Sequence, residues 1–359
     1  MDHIKVLHIY NSYYPPTIGG IEKHINTLCE GLKTRFNIRV LVTNNTPVTK
    51  IENINEIDII RVGTLGTLQS APIAPFMPLW LKKLDTDILH FHIPCPTAMI
   101  SYFLAKPKGK IVVTYHSDIV RQKWAMGIYR PLVKKLLSLA AAVIATSPNY
   151  INSSEILNGF RNKCTVIPLG IDTLKFKEGT PKEPTILFAG KLRYYKGLEY
   201  LIKAMQNVNA KLNIIGTGTE YSRLRELTAN LKLNEKIFFL GDVSEKDLPA
   251  YFSSCSIFVL PSIHRSEAFG IVQLEAMASG KPVVSTNLDT GVTWINQNNK
   301  TGIIVPTKDV IALENAINKL LNDKKLLEEL GQNAKSRAEK EFNQDLMLNR
   351  TINLYNSLF

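Results

Sequence analysis

An α/β fold of two doubly wound parallel-sheet domains is predicted by three observations. The chain has 359 residues, long for one hydrophobic core and comfortable for two. Short apolar and β-branched runs alternate with helix-like segments, the pattern of parallel strands joined by crossover helices. Several of these runs end directly in glycine, at Gly190, Gly216 and Gly241, where a strand turns sharply into a loop. An apolar content of 45% with 21% charged residues is that of folded domains and excludes a disordered chain.

The first domain is expected over residues 1–172. Residues 4–10 read as a buried strand, and the loop leaving it reaches Gly19-Gly20 at the start of a helix, where missing side chains let a ligand approach the backbone. Further strands are expected at 38–43, 57–62, 88–92, 111–116 and 142–147. His90 and His92 share one face of their strand because side chains alternate; no third ligand stands at suitable spacing, so no metal site is expected. Asp85-Thr86-Asp87 precedes a strand and reads as structural, since a hard cation needs more oxygen ligands than stand nearby in sequence. Residues 164–172 close this domain, and 173–184, rich in Lys, Pro and Gly, read as a linker.

The second domain is expected over 185–341. Its first strand runs into Gly190, and Lys191, Arg193 and Lys196 follow within six residues, just before a helix. Cations at the mouth of a parallel strand can neutralise a diphosphate leaving group. Neither Gly19-Gly20 nor Gly216-Thr217-Gly218 completes the Gly-x-Gly-x-x-Gly turn of a dinucleotide fold, which argues against a nicotinamide-dependent dehydrogenase. Strands are expected at 212–216, 237–240, 256–261, 282–286 and 302–305, helices at 310–321 and 325–341, and a final helix over 342–359.

The formal charge of +12 is uneven, with +9 on residues 1–170 and +3 on the remainder. The first half is therefore expected to meet an anionic partner. Segment 121–135 combines Arg121, Lys123, Arg130, Lys134 and Lys135 with aromatic and aliphatic residues at helical spacing, which suits peripheral contact with an anionic membrane. A core-packed helix with a solvated basic side explains the same letters equally well. A nucleic-acid partner is not expected, because its basic charge would have to line one groove with aromatic stacking. Four scattered cysteines suggest neither a zinc site nor a disulfide framework, and no signal-like or membrane-spanning run is seen, so a cytoplasmic protein is expected.

Residues 261–282 carry the densest chemistry. Seven residues separate Glu267 from Glu275, and the apolar positions between and beyond them suit a short buried helix stopped by Ser279, Gly280 and Pro282. Gly270 falls at its start, where free N–H groups favour a diphosphate, and a nearby carboxylate can accept two hydrogen bonds from ribose hydroxyls. Ser-Glu-Ala-Phe-Gly followed by Glu-Ala-Met-Ala-Ser-Gly-Lys-Pro resembles the signature of the retaining glycosyltransferases of family 4, which have the GT-B fold.

The resemblance implies two Rossmann-like domains facing across a cleft, with the C-terminal helix crossing back to the N-terminal domain. It implies that the donor is a UDP- or GDP-linked sugar and that the acceptor is lipid-linked or an oligosaccharide; no cofactor or metal is expected, because lysine and arginine can stabilise the departing diphosphate. Glu267 would lie by the donor sugar, Glu275 on the ribose, and the backbone of Ala268, Phe269, Gly270 and Ile271 along the donor. Lys196 aligns with the family's Lys-Gly, whereas Lys191 stands where the family has arginine and Arg193 lies two residues on, leaving open which of these two meets the phosphates. Gly19 and Gly20 would face the donor, Gly190 would lie at the strand mouth, Val243 under the nucleobase and His116 beside the donor sugar, with Asp118 a weaker candidate for orienting His116 or the acceptor. The alternative within the same fold is a sugar-nucleotide epimerase.

Overall fold

The computed structural model describes residues 3–17, 19–68, 71–118 and 126–359. They form two units, Met1–Leu169 with Asp345–Phe359, and Gly170–Gln344.

In the first unit the strands are β1 (Lys5–Ile9), β2 (Asn37–Thr43), β3 (Lys50–Ile54), β4 (Ile57–Val62), a two-stranded hairpin β5 (Thr67–Leu68) and β6 (Ala71–Pro72), then β7 (Ile88–Ile93), β8 (Lys110–Tyr115), β9 (Ala142–Ala145) and β10 (Cys164–Val166). Eight of them form one sheet in the order β10-β9-β8-β7-β1-β2-β4-β3. All its pairings are parallel except β3 with β4. Strand β3 is not apparent in the sequence, because its Lys-Ile-Glu-Asn-Ile run is polar and its turn lacks glycine. The turn is Asn55-Glu56, both at positive φ, which is the backbone of a two-residue type I′ hairpin.

Helix Gln344–Asn356 lies in the first unit and is anchored there by Tyr355. Its buried hydroxyl bonds His90 Nδ1 at 2.5 Å, and its ring meets Phe36 edge to face at 5.4 Å. Tyr355→Phe keeps the packing and leaves a buried imidazole nitrogen unsatisfied, so a loss of about 1–3 kcal/mol is expected in urea unfolding. An unchanged midpoint would show that the bond contributes nothing net.

Part of the segment 121–135 lies outside the described residues. Within helix Met126–Leu139, Val133, Leu136 and Leu137 are buried while Lys134 and Lys135 are exposed, and Arg130 pairs with Glu155 at 2.6 Å. Among the described residues, Val133, Leu136 and Leu137, which a bilayer was expected to take, are therefore in the core, while Lys134, Lys135 and Leu139 face water. No helix among the described residues is long and apolar enough to cross a membrane.

The second unit holds β11 (Thr185–Ala189), β12 (Lys211–Ile215), β13 (Ile237–Gly241), β14 (Ile257–Leu260), β15 (Val283–Thr286) and β16 (Gly302–Val305), all parallel, in the order β13-β12-β11-β14-β15-β16. Buried apolar side chains come from successive positions of these strands, Ile186, Leu187 and Phe188 in β11 and Ile257, Phe258 and Val259 in β14, as expected where helices cover both faces. Segment 173–184 is held to this unit by Lys281 Nζ on the Gly179 carbonyl and by a Glu178–Lys335 ion pair, each 2.6 Å.

Candidate functional site

Strand order in the second sheet reverses between β11 and β14, and a crevice opens at the carboxyl ends of two such strands. The loop after β11 begins at Gly190, whose N–H bonds Ile215 O at 3.0 Å. Leu192 is buried beneath it, while Lys191 and Arg193 stay exposed on a tight turn closed by Arg193 N to Lys191 O at 2.9 Å. A short 3₁₀ turn, Tyr194–Lys196, then ends at Gly197 with φ of 67°. Any side chain there would also run into the Pro261 carbonyl, so glycine is what lets this loop lie against the end of β14. Ile263 N bonds Tyr195 O at 2.8 Å and fastens the two loops together.

That fastening brings Lys196 and Glu267 into contact. Nζ lies 2.5 Å from Oε2, and the residues are 7% and 8% exposed. Burial pulls the Lys196 pKa down, but the Glu267 charge, Tyr195 and the hydrogen bond to Glu267 together outweigh it and raise the ammonium above its ordinary range. Ser262 Oγ donates to the same Glu267 oxygen at 3.0 Å, and Thr290 Oγ1 donates to the Glu267 carbonyl at 2.9 Å. Ser262 is fully buried and positions the carboxylate from five residues upstream. Nothing in the sequence singled it out, because the bond depends on how the loop folds.

Beyond Glu267, Ala268 O accepts from Gly291 N at 2.8 Å, and Phe269 is buried. Gly270 has φ of 76° and precedes Ile271, which caps helix Val272–Ala278. Seven residues make a weak dipole, so cationic side chains must carry most of any phosphate neutralisation. Glu275 is half-buried in this helix. Val243, half-buried, follows β13, whose end is tied to the loop after β12 by Gly216 N to Gly241 O at 2.7 Å and Thr217 Oγ1 to Asp242 Oδ2 at 3.0 Å. The predicted residues of the second unit thus lie at the carboxyl ends of β11, β13 and β14.

The first unit brings together something the sequence reading missed. His8 on β1 lies opposite His90 on β7, and His92 is two residues on, on the same face. Thr114 on β8 lies opposite His92, which puts His116 on that face too, and helix Gly20–Leu32 supplies His24. His8 Nδ1 is 3.0 Å from His92 Nε2, and His92 Nδ1 is 3.1 Å from His116 Nε2. Burial lowers all five, reinforced by neighbouring imidazoles for every ring but His24: His8 and His24 to about 3, and His90, His92 and His116 well below the ordinary value. The rings are neutral at physiological pH.

A third imidazole therefore does stand beside His90 and His92, contrary to the expectation from spacing, because register supplies what linear spacing hides. Asp118 does not orient His116. Its carboxylate accepts from Tyr115 at 2.5 Å, Ser154 at 2.9 Å and Tyr150 at 3.2 Å, whereas the side chain bonded to His116 is His92. Gly19 and Gly20 lie at the start of the helix carrying His24; a Cβ on Gly19 would strike Glu22, whose carboxylate accepts from Ser12 at 2.6 Å, while Gly20 borders open space. Asp85 and Asp87 both engage Lys5.

Comparison with known proteins gives these sites a context. Residues 18–175 match the family described as Glycosyltransferase Family 4, and residues 170–337 match Glycosyl transferases group 1. The chain is 33% identical to O-antigen chain mannosyltransferase C of Escherichia coli over 99% of both chains. It is 33% identical to D-rhamnosyltransferase WbpZ of Pseudomonas aeruginosa over 94% of this chain and 92% of that one. Among solved structures, sucrose-phosphate synthase from Thermosynechococcus elongatus superposes with a TM-score of 0.86 at 24% identity over 99% of both chains. Anabaena HepE in complex with UDP gives 0.81 at 19% identity, covering 99% of this chain and all of that one. Two parallel-sheet α/β units of the GT-B type, matched along both halves by these families, make the chain a glycosyltransferase of family 4.

Proposed function

We propose that the protein moves a hexose from a UDP- or GDP-linked donor to a saccharide hydroxyl with retention at the anomeric carbon, in assembly of an O-antigen or related glycolipid. The buried Lys196–Glu267 pair at the β11/β14 switch point carries this reading. A preorganised ammonium beside exposed Lys191 and Arg193 is suited to the charge that develops on a departing diphosphate, with no step routed through a metal. In the reaction the C1–O bond to phosphate breaks and a C1–O bond to the acceptor forms on the same face, while the acceptor proton passes to the departing phosphate oxygen. Glu267 is assigned to the donor sugar, Glu275 to the ribose, the 268–271 backbone to the donor, Val243 to the nucleobase, and His116 to a sugar hydroxyl. The activities for which the two 33%-identical relatives are named, mannosyl and rhamnosyl transfer, favour a manno-configured sugar.

A thermal-shift screen of UDP- and GDP-linked sugars tests the donor, because a ligand that binds the folded state raises the melting temperature. The anomeric configuration of the product by NMR tests retention. Inversion, or release of an altered sugar without acceptor, would replace this reading with another. Glu275→Gln is expected to weaken donor binding in titration calorimetry, since an amide offers one acceptor oxygen in place of two. Unchanged affinity would remove Glu275 from the ribose site.

Contact with an anionic bilayer is supported by a face of the first unit. Phe76, Leu79, Ile100 and Leu104 are exposed there, Lys82 and Lys83 end helix Met77–Lys83, and Lys135 Nζ lies 5.2 Å from the Phe103 ring. Each surface cation contributes on the order of 1 kcal/mol at such a membrane. Replacing Lys82, Lys83, Lys134 and Lys135 by Gln is expected to abolish sedimentation with anionic vesicles at low salt. Equal sedimentation of the variant would place the contact elsewhere.

A further inference from the structure

Two groups of three buried histidines share His92: His8 with His90 and His92, and His24 with His92 and His116. In each, one ring nitrogen per residue lies within 4.8 Å of the other two. They differ in what their nitrogens already do. Both nitrogens of His90 are engaged, Nδ1 by Tyr355 at 2.5 Å and Nε2 by Thr114 Oγ1 at 2.7 Å, so His90 has no lone pair to offer without breaking a buried bond. His24 Nδ1 is buried with no hydrogen-bond partner, as is His8 Nε2, so what separates the two groups is that His90 is fully engaged by residues other than histidine while no member of the second group is. A buried polar atom left unpaired costs free energy, and an occupant supplying its partner would recover it.

From this contrast we infer that His24, His92 and His116 form a binding site for a borderline transition-metal dication of the Zn²⁺ class. Imidazole nitrogen suits such ions and not Mg²⁺ or Ca²⁺, which take oxygen ligands. The spacing fits. Ligands on a tetrahedral ion at ordinary Zn–N lengths stand about 3.3 Å apart, with ring centroids about 5 Å apart. Here His92 Nδ1 and His116 Nε2 are 3.1 Å apart, and the three centroid separations are 5.3, 5.4 and 5.9 Å.

The surroundings supply the support that metal-bound histidines require. With Nδ1 on the ion, His92 carries its proton on Nε2 and donates it to His8 Nδ1, 3.0 Å away, which fixes the tautomer and ring plane. His116 would ligate through Nε2 and keep Nδ1 for other contacts. Three neutral ligands leave the ion its full double charge and one coordination position, so its fourth ligand is water, hydroxide or an anionic oxygen such as that of a phosphate.

The chain has seven histidines, and only His3 and His264 lie outside the cluster, which makes the test selective. Protein stripped with chelator is titrated with Co²⁺, whose four-coordinate complexes absorb strongly in the visible. One equivalent is expected to develop that spectrum and Zn²⁺ to bleach it. The spectrum should vanish in His24→Phe, survive in His90→Phe and in the His3→Ala/His264→Ala double variant, and require roughly ten- to a hundredfold more Co²⁺ in His8→Gln. No four-coordinate spectrum in the wild type overturns the site. So does a spectrum that survives His24→Phe or disappears with His90→Phe. Should His24→Phe not fold by circular dichroism, the paramagnetically shifted proton spectrum of the Co²⁺-bound wild type counts its imidazole ligands directly, and any number other than three overturns the assignment.

Discussion

Lys196→Ala is expected to lower turnover by roughly two to three orders of magnitude, the usual loss when one preorganised group that stabilises developing charge is removed. The effect should fall on kcat more than on KM, because the ammonium matters most once the phosphate oxygen is leaving. Stability should fall too. The pair is buried at 2.5 Å, and removing one partner of such a pair typically costs about 3–5 kcal/mol because the other charge stays desolvated. Lys196→Arg keeps a charge opposite Glu267 and should recover stability before activity, since a planar guanidinium cannot reproduce the position of Nζ. Wild-type kcat in folded Lys196→Ala would mean that Lys191 or Arg193 carries the leaving group alone.

Acid should unfold the first unit of metal-free protein before the second. His8 and His24 titrate near 3 when folded and near 6.5 in the unfolded chain, primarily because burial disfavours the charged ring. Below about pH 6.5 the unfolded chain takes up protons that the folded chain refuses, so the stability from these two rings is complete above that value and is lost as pH falls toward 3. At about pH 5 each costs roughly 2 kcal/mol, a large part of the 5–15 kcal/mol that usually holds a domain together. His90, His92 and His116 shift in the same direction. Urea unfolding at neutral pH and near pH 5 checks this, the first unit's transition being the one that Tyr355→Phe also moves. A transition indifferent to pH would show that the cluster is hydrated in solution.

The fold class was legible because both of its signals are local. Periodic apolar runs mark strands and helices wherever they occur, and the strand-to-glycine turns at Gly190 and Gly216 mark where a parallel strand ends. The Glu267-to-Glu275 stretch was legible for the same reason, since one loop and one short helix hold both residues. Strand β3 was not, because its polar run and glycine-free turn carry no local signal and its pairing with β4 defines it.

The sequence by itself determined the strand and helix pattern, the family and the cations and carboxylates from which a site could be drawn. Only the tertiary structure decided which of them meet. Lys196 and Glu267 are seventy-one residues apart in the chain and touch because β11 and β14 are neighbours in the sheet and Gly197 lets their loops close. His8, His92 and His116 converge because parallel register places residues from distant segments side by side and side-chain alternation turns them to one face, and helix Gly20–Leu32 adds His24. Periodicity states which face a residue takes within its own strand. Which strand lies beside it is settled by the packing of the whole sheet, and so a metal-ligand set spread over more than ninety residues leaves no spacing to read.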